Sequence, residues 1–183
     1  MSRLCRLLVT AAVLILALAG CSRGESQLAT AETEGLYLDV NGLKYQVQLS
    51  RYINPNDIED REYLAGLPEG TTEPGPDETW FGVWVRVQNT SDEAHPSADT
   101  WEIHDTQEKV YRPVPNDSVF AYQPSTVAPG QILPRPDSAS GQGPVQGSLL
   151  LFKVTNESLQ NRPLELIFSN GAGSDSGTYH LDV

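Results

Sequence analysis

Leu36-Tyr37-Leu38-Asp39-Val40-Asn41-Gly42-Leu43-Lys44-Tyr45-Gln46-Val47-Gln48-Leu49 decides the fold class. Asn-Gly is the dipeptide that a two-residue type I′ turn demands, because both central residues need positive φ. Here it separates two runs that alternate apolar and polar. Such a loop sets Val40 opposite Leu43, Leu38 opposite Tyr45 and Leu36 opposite Val47, so the apolar side chains share one face. Asp39 then faces Lys44 and Tyr37 faces Gln46 on the other side, and a slip of one residue would invert the arrangement. The expectation is an antiparallel hairpin with one buried face.

Downstream, Asn54-Pro55-Asn56-Asp57 predicts a helix start, with Asn54 as cap, Pro55 at the first position and Gly66 as the stop. Asp57, Glu59 and Asp60 suit the positive end of its dipole, and Asp57 and Arg61 stand at the i,i+4 spacing of a surface pair. The acids Asp57, Glu59, Asp60 and Glu62 lack the alternating oxygen ligands and the glycine of an EF-hand loop, which favours a capped helix over a calcium site. Residues 67–78 are a loop rich in Pro, Gly and acids. Thr79 to Asn89 then reads as a central strand, with Phe81, Val83, Val85 and Val87 on one face and Trp80, Gly82, Trp84 and Arg86 on the other. Trp101 to Tyr111 predicts a second hairpin turning at residues 106–109. Pro129-Gly130 marks a turn, residues 134–147 a loop, and Leu149 to Val154, Leu164 to Phe168 and Tyr179 to Val183 are of strand length. Several short strands, frequent turns and one short helix in an insertion indicate an all-β, antiparallel sandwich.

The order Trp80-Phe-Gly-Val-Trp-Val-Arg-Val-Gln-Asn89, Ile103-His-Asp-Thr106 with Tyr111, Pro129-Gly130, Gly147-Ser-Leu-Leu-Leu-Phe152 and Pro163-Leu-Glu-Leu166 resembles the immunoglobulin-like domains of unknown function found in many bacterial lipoproteins. The resemblance spans roughly residues 36–170 and implies a sandwich, not a reaction; the immunoglobulin-like domain is expected to cover residues 35–183. The insertion between residues 54 and 78 is longer than that pattern.

The N-terminus gives an address. Arg3 and Arg6 precede a run from Leu7 to Ala19 that is apolar apart from Thr10, the layout of a secretory signal. Thirteen helical residues rise about 20 Å, short of the roughly 30 Å hydrocarbon core, so the run predicts cleavage rather than a span. Leu18-Ala19-Gly20-Cys21 closes it and resembles the lipobox of bacterial lipoproteins. That resemblance implies cleavage between Gly20 and Cys21, a diacylglyceryl thioether on Cys21, and removal of the signal peptide 1–20. Two or more acyl chains such as palmitate are sufficient to hold a protein on a membrane. Ser22 is not the Asp that usually marks retention at the inner membrane, so the outer membrane is the expected address in a cell that has one. Residues 21–34, poor in large apolar side chains, are expected to form a lipidated, disordered tether about 20 Å end to end.

Composition narrows the partners. After cleavage ten bases face 24 acids, a formal charge of −14, which disfavours nucleic acid and anionic lipid headgroups as ligands of the domain. The only cysteines are Cys5 and Cys21; with the first removed and the second lipidated, disulfides and thiolate metal sites are excluded. No G-x-S-x-G is present, His95, His104 and His180 have no metal-ligand spacing, and His104 and Asp105, adjacent in a strand, point to opposite faces. No catalytic residue, metal or cofactor is expected. The expected function is a membrane-anchored, non-catalytic binding or assembly module of the cell envelope, recognising a protein or polysaccharide; the alternative is an envelope hydrolase built from converging acids or histidines. The candidate ligand surface is Trp80 with Trp84, joined by Trp101 or Tyr122, an aromatic patch if open and a second packed layer if a loop such as 67–78 covers it.

Overall fold

The computed structural model describes residues 28–171 and 175–182. The expected signal peptide, the Gly20–Cys21 cleavage pair and Val183 lie outside the described residues. The described strands are β1 (Leu28–Ala31), β2 (Tyr37–Val40), β3 (Leu43–Ile53), β4 (Glu78–Gln88), β5 (His95–Pro96), β6 (Thr100–His104), β7 (Val110–Tyr111), β8 (Thr126–Val127), β9 (Ile132–Leu133), β10 (Ser148–Thr155), β11 (Leu164–Ser169) and β12 (Ser176–Leu181). Two short helices, α1 (Ile58–Leu64) and α2 (Ala139–Gln142), and a 3-10 turn at Ser158–Gln160 complete the elements. One sheet has the order β1-β12-β11-β6-β7 and the other β10-β4-β3-β2, with β9 also against β4 and a separate β5-β8 ribbon. Strand pairs are antiparallel except β1 with β12. The fold is an all-β sandwich.

The hairpin that opened the reading takes its expected register, Tyr37 with Gln46, Leu38 with Tyr45, Asp39 with Lys44 and Val40 with Leu43. Asn41 and Gly42 have φ of 51° and 79°, the left-handed region a type I′ turn requires. Lys44 Nζ reaches Asp39 at 2.8 Å. Leu36 is a correction: Gly35 N–H donates to the Val47 carbonyl at 2.9 Å, and Leu36 is left 49 % exposed.

A β-bulge at Gln48, where the β3–β4 register shifts between Val47 and Leu49, changes the role of β3 along its length. Before the bulge, Leu43, Tyr45 and Val47 enter the core between the sheets; after it, Leu49, Arg51 and Ile53 lie opposite Trp84, Gly82 and Trp80. An extra residue reverses the alternation. β4 and β10 are therefore buried on both faces. Phe81, Val83, Val85 and Val87 with Leu150, Phe152 and Val154 fill the main core, and Trp80 and Trp84 with Leu149 and Leu151 fill a second.

Three expectations about local structure are overturned. Residues 28–34 are not tether: β1 pairs with β12 from Leu28–Ser176 to Ala31–Tyr179. Glu34 accepts hydrogen bonds from Ser50 N–H at 3.1 Å, the Ser50 hydroxyl and Asp182 N–H at 3.2 Å. A run of small side chains can still make an edge strand, because the backbone carries the pairing. The helix is capped by Asp57, not Asn54; the Asp57 carboxylate accepts from Glu59 and Asp60 N–H at 2.9 and 3.3 Å. Asn54 Oδ1 instead accepts from Asn56 N–H at 3.0 Å, an Asx turn that holds Pro55 outside the helix. Asp57, engaged in capping, has no ion pair with Arg61 among the described residues; the acid pair on α1 is Asp60 with Arg51. The expected loop 134–147 contains α2, whose cap Ser138 Oγ accepts from Gly141 N–H at 3.1 Å.

Candidate functional site

Trp80 and Trp84 are each 1 % exposed, so they form no open ligand surface. They are the floor of the second core, under Tyr63 of α1, Leu67, Val114, Phe120 and Val145. The cover is therefore wider than the 67–78 segment, which contributes Glu73 as acceptor for the Trp80 indole N–H at 3.3 Å. Tyr63 stands edge-on to Trp84 with centroids 5.2 Å apart, and Arg51 lies over the Trp84 ring at 5.1 Å. Burying two indoles is the largest apolar gain available to this face, which explains why the insertion folds back over it. Trp101 and Tyr122 belong to the main core instead, edge to face at 5.3 Å.

The side chains with chemistry to offer are tied to their neighbours. Tyr111 Oη lies 2.6 Å from Ser158 Oγ and 2.8 Å from Thr155 Oγ1, and Lys109 Nζ donates to Thr155 at 3.1 Å. Burial raises the Tyr111 pKa, but hydrogen bonds from Ser158, Thr155 and Lys109 hold it below its usual value. A hydroxyl, a phenol and an ammonium in contact resemble a nucleophile with its activators. Yet Ser158 is 1 % exposed, and the cluster joins β7 to β10 and the 3-10 turn. His104 Nε2 meets Glu102 at 3.0 Å, His180 lies between Glu32 at 3.1 Å and Glu165 at 3.4 Å, and His95 contacts Ser91 Oγ at 3.1 Å. The three histidines are not brought together. Asp105 turns away from His104 and accepts from Gln107 and Lys109 N–H at 2.9 and 3.0 Å. Among the described residues no three His, Cys, Asp or Glu side chains converge to hold a metal.

Concave surface occurs elsewhere. On the flank between β6 and β10, the segments 113–117 and 121–124 wall a cavity of about 250 Å3. Val114 N–H donates to the Leu151 carbonyl at 2.7 Å and Tyr122 N–H to that of Leu149 at 2.8 Å. These two bonds seat the walls on the edge of β10. Trp101, Tyr122, Leu150, Pro113 and Pro124 supply apolar surface, and Asp99 and Asp117 stand among the lining residues. Tyr122 donates its hydroxyl to the Ala98 carbonyl at 2.8 Å, and burial pushes its pKa up. Trp101 Nε1 is buried against the Tyr122 hydroxyl. A second cleft, of about 430 Å3, surrounds Arg86. A third depression, of about 530 Å3, lies between the end of α1 and residues 117–120, beside Val119, which is 72 % exposed. Sequence reading noted Trp101, Tyr122 and Arg86 but not their settings, which are assembled from loops distant in the chain.

No protein-family model matches this chain, and no curated protein matches it. Among solved structures it is similar to the yjhA protein from Bacillus subtilis, with a TM-score of 0.49 and 10 % identity over 83 % of this chain and 100 % of that one. It is also similar to an uncharacterised β-sandwich protein from Clostridium difficile 630, with a TM-score of 0.42 and 9 % identity over 87 % of this chain and 98 % of that one.

Proposed function

We propose that this β-sandwich is the folded part of a lipid-anchored, non-catalytic binding module of the cell envelope, and that its ligand seat is the Trp101 cavity. The observation that carries the seat is the concave flank itself, where Trp101 and Tyr122 stand with Pro113, Pro124 and Leu150. The proline and leucine walls favour a small apolar group, and Asp99 and Asp117 disfavour an anion. The ligand is thus a neutral, apolar peptide-like group supplied by an envelope protein. The anchor is supported by Leu18-Ala19-Gly20-Cys21 and the apolar run before it.

Two measurements test the two halves. In cells fed an alkyne analogue of palmitate, the parent chain labels and stays with membranes, whereas Cys21→Ser neither labels nor stays; equal labelling of both would remove the anchor. For the seat, the Trp101 indole proton is followed by NMR while N-acetyl-leucyl-prolinamide or N,N′-diacetylchitobiose is added. The peptide shifts that resonance and the sugar does not, and Trp101→Phe, which removes the indole that lines the cavity, weakens peptide binding several-fold. A resonance unmoved by the peptide overturns the seat.

A further inference from the structure

Arg86 is out of character for this chain. With 24 acids and 12 bases, a base should find a carboxylate, and Lys44, Arg51, Arg112, Arg135 and Lys153 each have one within 4 Å. Lys109 and Arg162 are held by other hydrogen bonds, Lys109 to Thr155 Oγ1 and Arg162 to the Leu159 carbonyl. Arg86 has neither ion pair nor hydrogen bond among the described residues, although it is half-buried on a central strand. Arg61, the other described base with neither an ion pair nor a side-chain hydrogen bond, projects from the exposed side of α1.

The strands explain why Arg86 stays unpaired. Its partner across the β3–β4 ladder is Gln46, whose amide already donates to the Gly35 carbonyl at 2.6 Å and accepts from Gln48. The neighbouring pair on the other side is Val87 with Leu133 of β9, followed by Pro134. Among the described residues no carboxylate lines the cleft; its walls are Ile132, Pro134 and Pro136 with Gly141, Gln142 and Gln146. These walls are fixed locally. A Cβ on Gly141 would come within 2.1 Å of the Arg135 carbonyl oxygen, and Ser140 Oγ donates to the Val119 carbonyl at 2.9 Å.

We propose that this cleft binds a carboxylate, and that the carboxylate is the free C-terminus of a peptide with a small apolar last residue. A guanidinium presents paired N–H donors in a plane that matches the two oxygens of a carboxylate, the strongest hydrogen-bonding arrangement available to an arginine. Gln142 and Gln146 supply amide donors and acceptors for the preceding peptide bond. The isoleucine and two prolines suit a small side chain rather than a sugar ring. The cleft draws on none of the residues of the Trp101 cavity, so either site can fail without the other.

Isothermal titration of the detergent-solubilised full chain with acetyl-Ala-Ala, its C-terminal amide and inorganic phosphate tests the proposal. The free acid binds at least tenfold more tightly than the amide, and Arg86→Gln removes that difference while Arg86→Lys retains only part of it. The denaturation midpoint of Arg86→Gln, expected to match the parent, separates loss of the site from loss of the fold. Equal affinity for acid and amide, an acid preference that survives Arg86→Gln, or no binding of the acid overturns the assignment. Phosphate bound more tightly than the acid overturns the peptide as ligand in favour of a general anion site.

Discussion

Trp84→Ala is expected to lower the unfolding free energy by about 3–5 kcal/mol, read as a fall in the urea midpoint at unchanged slope. That is a large fraction of the roughly 5–15 kcal/mol typical of a domain. The size follows from how little the surroundings can collapse. Trp84 lies against two glycines where a Cβ would come within 2.9 Å of its side chain, Gly82 and Gly147, so backbone already fills the space a neighbour might have occupied. Tyr63 stands edge-on at 5.2 Å and Arg51 covers the ring at 5.1 Å. Removing the indole leaves a cavity between a central strand and its cover, with a half-buried cation above it. Trp84→Phe should recover more than half of the loss. A loss below about 1 kcal/mol would mean that the second core does not unfold with the sandwich.

The second largest effect is expected from Asp60→Asn. Arg51 Nη1 and Nη2 donate to the two Asp60 oxygens at 3.0 and 2.5 Å, and Asn54 N–H donates to the same carboxylate at 2.7 Å. The hydrogen bond from Arg51, then that from Asn54 and the charge of Arg51, outweigh burial and hold the Asp60 pKa below its ordinary value. A carboxylate whose folded pKa is depressed contributes stability that is present above its unfolded pKa, near 4, and is lost as pH falls through the folded value. Asp60→Asn should therefore cost about 1–2 kcal/mol at pH 7, reduced because the Arg51 side chain is 36 % exposed and partly screened. The gap from the parent should narrow as pH drops from 4 toward 2. A difference that stays constant over that range would assign the effect to packing alone.

Local pattern made much of the sandwich legible. The Asn41-Gly42 turn fixes its hairpin because register follows from two residues and a period of two, and β4 shows its two faces in the same way. Gln48 could not be read as a bulge, since the reversal it causes depends on which residues of β4 lie opposite. The strand at Leu28–Ala31 was hidden because it carries almost no apolar pattern of its own; its partner residues on β12 lie 148 positions along the chain. Asp57 outcompeted Asn54 as cap because Asp60 and Arg51 fix where α1 begins. The two tryptophans were visible as a face, but exposure depends on what folds over that face, and the cover comes from residues 63, 67, 114, 120 and 145. The Trp101 cavity and the Arg86 cleft are likewise made by chain segments that meet only in the fold.

The parallel pairing of β1 with β12 also sets how the domain bears force. The chain enters β1 at Leu28 and leaves at Ala31, so a pull on the segment ahead of Leu28, directed along the strand, strains the β1–β12 hydrogen bonds together, as a lap joint is strained in shear. Turned across the sheet, the same pull parts them one at a time from the Leu28 end, and the joint peels until it reaches the clasp of Glu34 on Ser50 and Asp182. Anchored as proposed, the domain would withstand being drawn straight away from its surface and would yield its first strand when dragged sideways.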